Sequence, residues 1–141
     1  MPAFVLDSSV ALAWALPRQQ TAMTKALLDQ ATEYGTLTTS LWPIEVANVL
    51  LIYERRRQMT TAERMSAIGF YSGLPIETDD QTATRAWGTS FELALAHKLT
   101  VYDASYLELS LRSGLPLATL DQALAKAASA CGVPVLGGSD L

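Results

Sequence analysis

Residues 4–10 of the chain, FVLDSSV, decide its fold class. The apolar run of residues 4–6 has the character of a short buried strand and ends at Asp7, after which Val10 opens a helical spacing of apolar residues that Pro17 stops. The same pattern, an apolar run that ends in Asp and is followed directly by a predicted helix, occurs again around Asp103 and Asp121. Strands that alternate with helices predict an α/β fold whose parallel sheet is covered on both faces, because parallel neighbours need crossover connections.

The rest of the chain continues this alternation, and it shows no repeat, linker or low-complexity tract. We therefore predict one domain over residues 1–141. Strands are predicted at residues 4–6, 36–40, 76–78, 99–102, 115–120 and 133–136. Helices are predicted at residues 10–16, 21–34, 44–53, 60–71, 79–98, 104–113 and 122–130. The helix of residues 44–53 is expected to be buried on most sides, because its sequence is almost continuously apolar.

Composition places the chain among folded cytoplasmic proteins. Half of its residues are hydrophobic and 17% are charged, which excludes disorder and leaves apolar surface for a partner to cover. Cys131 is the only cysteine, which excludes an internal disulfide and fits a reducing compartment. The N-terminus has no basic stretch and meets a carboxylate at Asp7, so we expect neither a signal peptide nor a membrane span.

Acidic residues at the ends of predicted strands are the strongest indication of a functional site. Asp7, Asp103 and Asp121 each follow a predicted strand, and the carboxyl ends of parallel strands meet at one edge of a sheet, about 4.8 Å apart. Each Asp alone is more simply a helix N-cap. Together they would repel one another, and bound Mg²⁺ or Mn²⁺ would explain their convergence, since hard cations take oxygen ligands.

Glu45 extends this group. Residues 44–52 contain only two polar residues, Glu45 and Asn48, which are three apart and so share one helical face. Burying that face is costly unless both side chains find partners. The competing interpretation is a first-turn Glu favoured by the helix dipole, although a capping box would need Ser or Thr where Trp42 stands.

The net charge of −4 is unusual for a protein that acts on nucleic acid. Setting aside the four acids, Asp7, Glu45, Asp103 and Asp121, leaves ten acidic residues against ten Lys and Arg. The remainder of the protein is then neutral, and the acidity favours metal binding rather than excluding RNA.

These residues together resemble the PIN-domain family, and most closely the VapC-type ribonuclease toxins of prokaryotic toxin–antitoxin systems. Four motifs carry the resemblance, at residues 4–10, 43–50, 99–109 and 117–121. The resemblance implies a three-layer α/β/α domain with a central parallel five-stranded sheet, a homodimer, and an antitoxin whose C-terminal segment covers the site. It also implies metal ligation chiefly by Asp7 and Asp103, completed by the other two acids. The supporting side chains that it implies are Ser9, Asn48 and Thr119.

The expected reaction is hydrolysis of an RNA phosphodiester by metal-activated water. RNA rather than DNA follows from the resemblance alone. Hydroxyls beside the acids, such as those of Ser9 and Thr119, could orient a carboxylate or satisfy turn backbone, and the sequence leaves both open.

Two other functions stay open. One is a non-catalytic PIN-fold binding module whose carboxylates are caps. The other is a receiver-like phosphoacceptor domain, which fits worse because such domains pair acids after the first strand and place a Lys after the last. Here Asp7 is followed by two serines, and Lys126 lies within a predicted helix.

Overall fold

The structure is a computed structural model, and it describes residues 1–137; the last four residues of the predicted domain lie outside this range. Its strands are β1 (Val5–Leu6), β2 (Thr36–Thr38), β3 (Ile76–Thr78), β4 (Leu117–Ala118) and β5 (Val135–Leu136). Its helices are α1 (Ser8–Ala15), α2 (Ala22–Tyr34), α3 (Trp42–Arg55), α4 (Thr61–Ser72), α5 (Thr82–Arg85), α6 (Thr89–His97), α7 (Val101–Ser113) and α8 (Gln122–Ala130). A short 3-10 turn, Pro17–Gln19, follows α1.

All five strands form one parallel sheet in the order β3-β2-β1-β4-β5, which confirms the predicted three-layer α/β/α class. The central strand β1 pairs with β2 on one side and β4 on the other, so Val5 lies opposite both Leu37 and Leu117. Because α1 follows β1 and α8 follows β4, the residues that lead into these helices share the carboxyl edge of the sheet. Asp7 and Asp121 both lie there.

The most buried helix is α7 rather than α3. Residues 104–110 of α7 are all buried. The prediction that α3 is buried on most sides is wrong, since α3 buries only Trp42, Val46 and Leu50, whereas Ile44 is 68% and Leu51 43% exposed. A helix that covers one side of a sheet buries a single face. Because α3 has more apolar residues than that face can hold, some of them lie exposed.

The predicted strand at residues 99–102 does not form. Residues from Val101 onward are helical, and Thr100 is the N-cap of α7, its hydroxyl accepting a 3.1 Å hydrogen bond from the backbone N–H of Asp103. Capping satisfies an amide group that the first helical turn would otherwise leave without a partner. Asp103 therefore lies in the first turn of a helix and not at a strand end.

The predicted long helix at residues 79–98 is also wrong, because two helices, α5 and α6, replace it. Gly88 lies between them with φ −117° and ψ −105°, outside the helical region. Asp79 stays outside α5 because its carboxylate accepts hydrogen bonds from the Gln81 N–H and the Thr82 hydroxyl. Within residues 1–137, no helix combines the length and hydropathy needed to cross a bilayer.

Candidate active site

Asp7 is the most enclosed of the four acids, at 4% exposed. It caps α1, and its Oδ1 accepts hydrogen bonds from the backbone N–H groups of Ser9 and Val10 at 2.8 and 3.3 Å. Two hydroxyls also donate to it, Ser9 Oγ to Oδ1 at 2.5 Å and Thr119 Oγ1 to Oδ2 at 2.6 Å. Burial outweighs these hydrogen bonds and raises the pKa of Asp7 to about 6.

The hydroxyls of Ser9 and Thr119 each orient a carboxylate and also satisfy turn backbone, the two roles that the sequence left open. The Ser9 hydroxyl donates to Asp7 and accepts a hydrogen bond from the Leu120 N–H at 2.8 Å. The Thr119 hydroxyl donates to Asp7 and accepts from the Asp121 N–H at 3.0 Å. These hydroxyls therefore orient the Asp7 carboxylate and tie it to the segment that follows β4.

Glu45 lies in the first turn of α3 and is half-buried. The Tyr106 hydroxyl donates a 2.9 Å hydrogen bond to its Oε1, and the Ser8 hydroxyl donates a longer one of 3.4 Å to Oε2. Burial raises the pKa of Glu45, and the negative charges of Asp103 and Asp7 raise it further. Burial and the adjacent Glu45 likewise raise the pKa of Tyr106 above its ordinary value, so its phenol stays protonated and donates.

Asp103 and Asp121 complete the group from two other elements. Asp103 is half-buried, and its pKa is raised by burial first and by the charge of Asp121 second. Asp121 is exposed and caps α8, its Oδ1 accepting from the Leu124 N–H at 2.9 Å. The N-cap interpretation is thus correct for Asp7 and Asp121 and wrong for Asp103.

The four acids form a chain of neighbours rather than one compact group. Asp7 and Asp103 each act electrostatically on Glu45, and Asp121 acts on Asp103. Across residues 1–137, no three side chains of the His, Cys, Asp and Glu types lie close enough together to hold one ion. The four acids nevertheless come from four separate segments, α3, α7 and the residues that follow β1 and β4.

Among residues 1–137, no basic side chain forms an ion pair with these acids. In the part of the chain that the structure describes, the ion pairs join Arg64 to Glu54 and Arg112 to both Asp79 and Glu108, all outside this group. Negative charges that raise the pKa values of Glu45 and Asp103, with no cation paired to them within residues 1–137, fit a site that binds one. The donor set is made of carboxylate oxygens, the ligands that Mg²⁺ and Mn²⁺ prefer.

The structure does not place Asn48 on a buried face. Asn48 is exposed on α3, and no hydrogen bond among residues 1–137 joins it to the four acids. Helical spacing correctly placed it near Glu45 along the helix, but α3 buries a different stripe. Its supporting role stays a prediction.

Sequence reasoning missed Tyr106, whose hydroxyl contacts Glu45 directly. The available signal was its position on α7, three residues after Asp103 and therefore on the same helical face. Tyr106 is 1% exposed in the fold, so it also packs in the core.

Comparison with known proteins gives a consistent result. The family model for the PIN domain matches residues 4–130. Ribonuclease VapC3 from Pyrobaculum aerophilum is 32% identical to this chain over 126 residues, which cover 86% of this chain and 92% of that protein.

Two crystal structures share the fold. PAE2754 from Pyrobaculum aerophilum superposes with a TM-score of 0.63 at 21% identity, covering 95% of this chain and 89% of that one. FitAcB from Neisseria gonorrhoeae gives a TM-score of 0.56 at 18% identity, covering 97% of this chain and 99% of that one. At these identities the superpositions establish the fold alone.

Proposed function

The chain belongs to the PIN-domain family, and from this premise we propose that it is a VapC-type toxin, a divalent-metal-dependent endoribonuclease that a cognate antitoxin inhibits. The observation that carries the proposal is the approach of four acids from four segments, with no ion pair to a basic side chain in the part of the chain that the structure describes. The four acids are Asp7, Glu45, Asp103 and Asp121. Similarity to a ribonuclease over most of the chain supports RNA as the substrate.

Asp7, Glu45, Asp103 and Asp121 would hold the Mg²⁺ or Mn²⁺. Their chain-like order favours pairs of carboxylates around an ion, with water and substrate phosphate as the other ligands, which is the usual manner of Mg²⁺ binding. When bound, the cation supplies Lewis acidity at the phosphate and makes a nucleophilic water available near neutral pH. Ser9 and Thr119 hold the Asp7 carboxylate in one orientation through hydroxyl donors on both of its oxygens.

The antitoxin part of the proposal rests on the uncompensated charge of this site. We expect a C-terminal antitoxin segment to insert a basic side chain among the acids, because an ion pair there would remove the repulsion that burial intensifies. Such a side chain would occupy the position of the metal and cover the site from RNA.

A homodimer is the second proposed assembly. Phe91 and Leu95, four residues apart on α6, are 48% and 71% exposed, and Trp87 just before them is 91% exposed. Large apolar side chains grouped at one surface in this way mark an interface more often than a free surface. Two further predictions remain untested, namely that residues 1–141 form a single domain and that the protein is cytoplasmic.

A PIN-fold binding module without catalysis is the rival function. It is favoured by the caps that Asp7 and Asp121 form and by the absence of a compact group of three ligands in residues 1–137. Caps alone do not explain the half-buried Glu45 facing two other acids. The receiver-like alternative lacks the paired acids after β1 in the observed fold as it does in the sequence.

The deciding experiment is cleavage of a mixed pool of structured RNA by the purified protein, free of antitoxin. It should be run with Mg²⁺, with Mn²⁺ and with EDTA, beside Asp7→Asn, Asp103→Asn and the exposed control Asp29→Asn. We expect discrete cuts that need the metal and survive only in the control, with activity lost by roughly 100-fold or more in the site variants, the scale of removing one transition-state stabiliser. Folded protein that cuts nothing under any condition would favour the binding module.

A further inference from the structure

We propose that Tyr106 is a positioning residue that holds the Glu45 carboxylate in place to receive the metal. The inference rests on the proposed function, because it assigns Glu45 to the metal site. Tyr106 lies within the motif of residues 99–109, but its contact with Glu45 depends on the fold, which brings α7 beside α3.

The contact is specific and enclosed. The Tyr106 hydroxyl donates to Glu45 Oε1 at 2.9 Å across 61 residues of sequence. Tyr106 is 1% exposed and lies within residues 104–110, the fully buried part of α7. Its ring therefore has little freedom to move, and the hydroxyl is fixed with it.

Glu45 needs such an anchor more than Asp7 and Asp121 do. Asp7 accepts four hydrogen bonds, and the Asp121 carboxylate caps α8. Glu45 has a longer side chain and faces the charges of both Asp7 and Asp103. Apart from Tyr106, its one hydrogen-bond donor within residues 1–137 is Ser8, at 3.4 Å. Without Tyr106, repulsion would turn its carboxylate away from the other acids and toward water.

Helix α7 acts on Glu45 in two opposite ways. Asp103 in its first turn repels Glu45, and Tyr106 one turn later attracts it. Both side chains lie on one face of one helix, so their spacing is fixed by the helix itself. The arrangement keeps two like charges near each other in the absence of a cation, which a metal site requires before it is filled.

The chain offers a matched control in Tyr71. Its hydroxyl is also enclosed, and it donates a 2.7 Å hydrogen bond to the backbone carbonyl of Ala11 in α1; among residues 1–137 it donates to none of the four acids. Tyr71→Phe and Tyr106→Phe both remove one buried phenol hydroxyl and keep the ring. A purely structural role for Tyr106 predicts that the two variants behave alike.

The test is Mn²⁺ binding to the intact protein by titration calorimetry, which needs no RNA. We expect Tyr106→Phe to weaken Mn²⁺ binding by about 10- to 100-fold, the usual effect of losing a partner that orients a metal ligand. Tyr71→Phe should bind Mn²⁺ as the wild type does. Thermal unfolding in EDTA should show comparable losses of stability for both variants.

A double variant separates action through Glu45 from action on the whole site. In a Glu45→Gln background, adding Tyr106→Phe should weaken Mn²⁺ binding by less than threefold, because the residue that it positions is gone. An undiminished effect in that background would overturn the assignment. So would Tyr106→Phe that binds Mn²⁺ like Tyr71→Phe, or a wild type that binds no Mn²⁺.

Failure of this inference can be told from failure of the proposed function. If the wild type binds Mn²⁺ and cuts RNA while the two Phe variants give equal isotherms, the positioning role of Tyr106 is rejected and the ribonuclease proposal stands. A wild type that binds Mn²⁺ but cuts no RNA removes the ribonuclease, and the isotherms still decide the role of Tyr106.

Discussion

Thr119 donates a 2.6 Å hydrogen bond to the carboxylate of Asp7, a residue 112 positions earlier in the chain. The two residues follow adjacent strands, β4 and β1, and the same hydroxyl accepts from the Asp121 N–H. One buried hydroxyl thus joins two acids of the proposed site.

Thr119→Val should therefore damage both stability and activity. Valine matches the shape of threonine but leaves Asp7 and the Asp121 N–H without this partner, at a cost of about 1–3 kcal/mol in the free energy of unfolding. Urea unfolding and RNA cleavage would measure the two effects. Thr119→Ser keeps the hydroxyl and should retain most activity; equal loss in both variants would point to packing instead.

The metal-free protein should become more stable on mild acidification. Burial raises the pKa of folded Asp7 to about 6 from an ordinary value of 3.8, so between these values the folded state binds the proton more tightly than the unfolded state. The contribution of Asp7 to stability is then complete below about pH 4, falls as pH rises through this window, and is lost above about pH 6. The full change is about 3 kcal/mol for a shift of this size.

This pH effect is checked by thermal unfolding in EDTA between pH 5 and 7.5. Asp7→Asn should reduce the slope of the profile to the part that Glu45 and Asp103 contribute, and it should be at least as stable as the wild type at pH 7.5, because an amide caps the helix without a buried charge. Asp79 acts in the opposite sense, but its pKa is lowered by Arg112, so its contribution is lost only in stronger acid. A wild-type melting temperature that falls between pH 7.5 and 5 would contradict the prediction.

Arg112 should be the most sensitive charged residue for stability. Its guanidinium pairs with Asp79 after β3 and with Glu108 on α7, and both carboxylates are largely buried. Arg112→Met would leave two adjacent enclosed carboxylates without a cation, which costs about 3–5 kcal/mol in the free energy of unfolding. Arg55→Met, an exposed control, should change it by less than about 0.5 kcal/mol in the same urea titration.

Leu95→Lys should convert the proposed dimer to monomers. Leu95 is 71% exposed, so a lysine there does not disturb the core but would place a charge in an apolar interface. Light scattering after gel filtration gives the mass directly, and circular dichroism checks the fold. Met65→Lys, which alters an exposed apolar residue on α4, is the matched control; a wild-type monomer would rule out the dimer.

Antitoxin binding should depend on the four acids. Co-expression with the neighbouring small open reading frame should give a complex that does not cut RNA, and Glu45→Gln should weaken that complex through loss of a partner for the inserted basic side chain. Pull-down at increasing salt would measure the change. No complex, or a complex that cuts RNA at the rate of the free protein, would remove the antitoxin from the proposal.

Sequence patterns predicted β1 and β4 well because each shows two signals at once. An apolar run is followed by an Asp that caps a helix, and both signals are local, so tertiary contacts do not alter them. The same reasoning failed at residues 99–102, where Thr100, Val101 and Tyr102 favour a strand by propensity. The spacing of Thr100 and Asp103 is typical of a helix N-terminus, and here it predicts the structure better than strand propensity does.

Burial was the harder quantity to predict. Apolar content made α3 the expected buried helix, whereas α7, which carries Glu108 and Arg112, is the enclosed one. The polar residues of α7 are accommodated because Arg112 and Asp79 neutralise one another across the fold. Such long-range pairing leaves no local pattern, and for the same reason Tyr106 could not be connected with Glu45 from the sequence.

The parallel pairing of Val5 with Leu117 ties formation of the proposed site to synthesis of β4. The ribosome makes the central strand among the first residues, yet that strand acquires its β4 neighbour only after more than a hundred further residues have emerged. Asp7 and Asp121 cannot meet earlier, because they follow these two strands. A nascent chain that stops before β4 therefore lacks the proposed site.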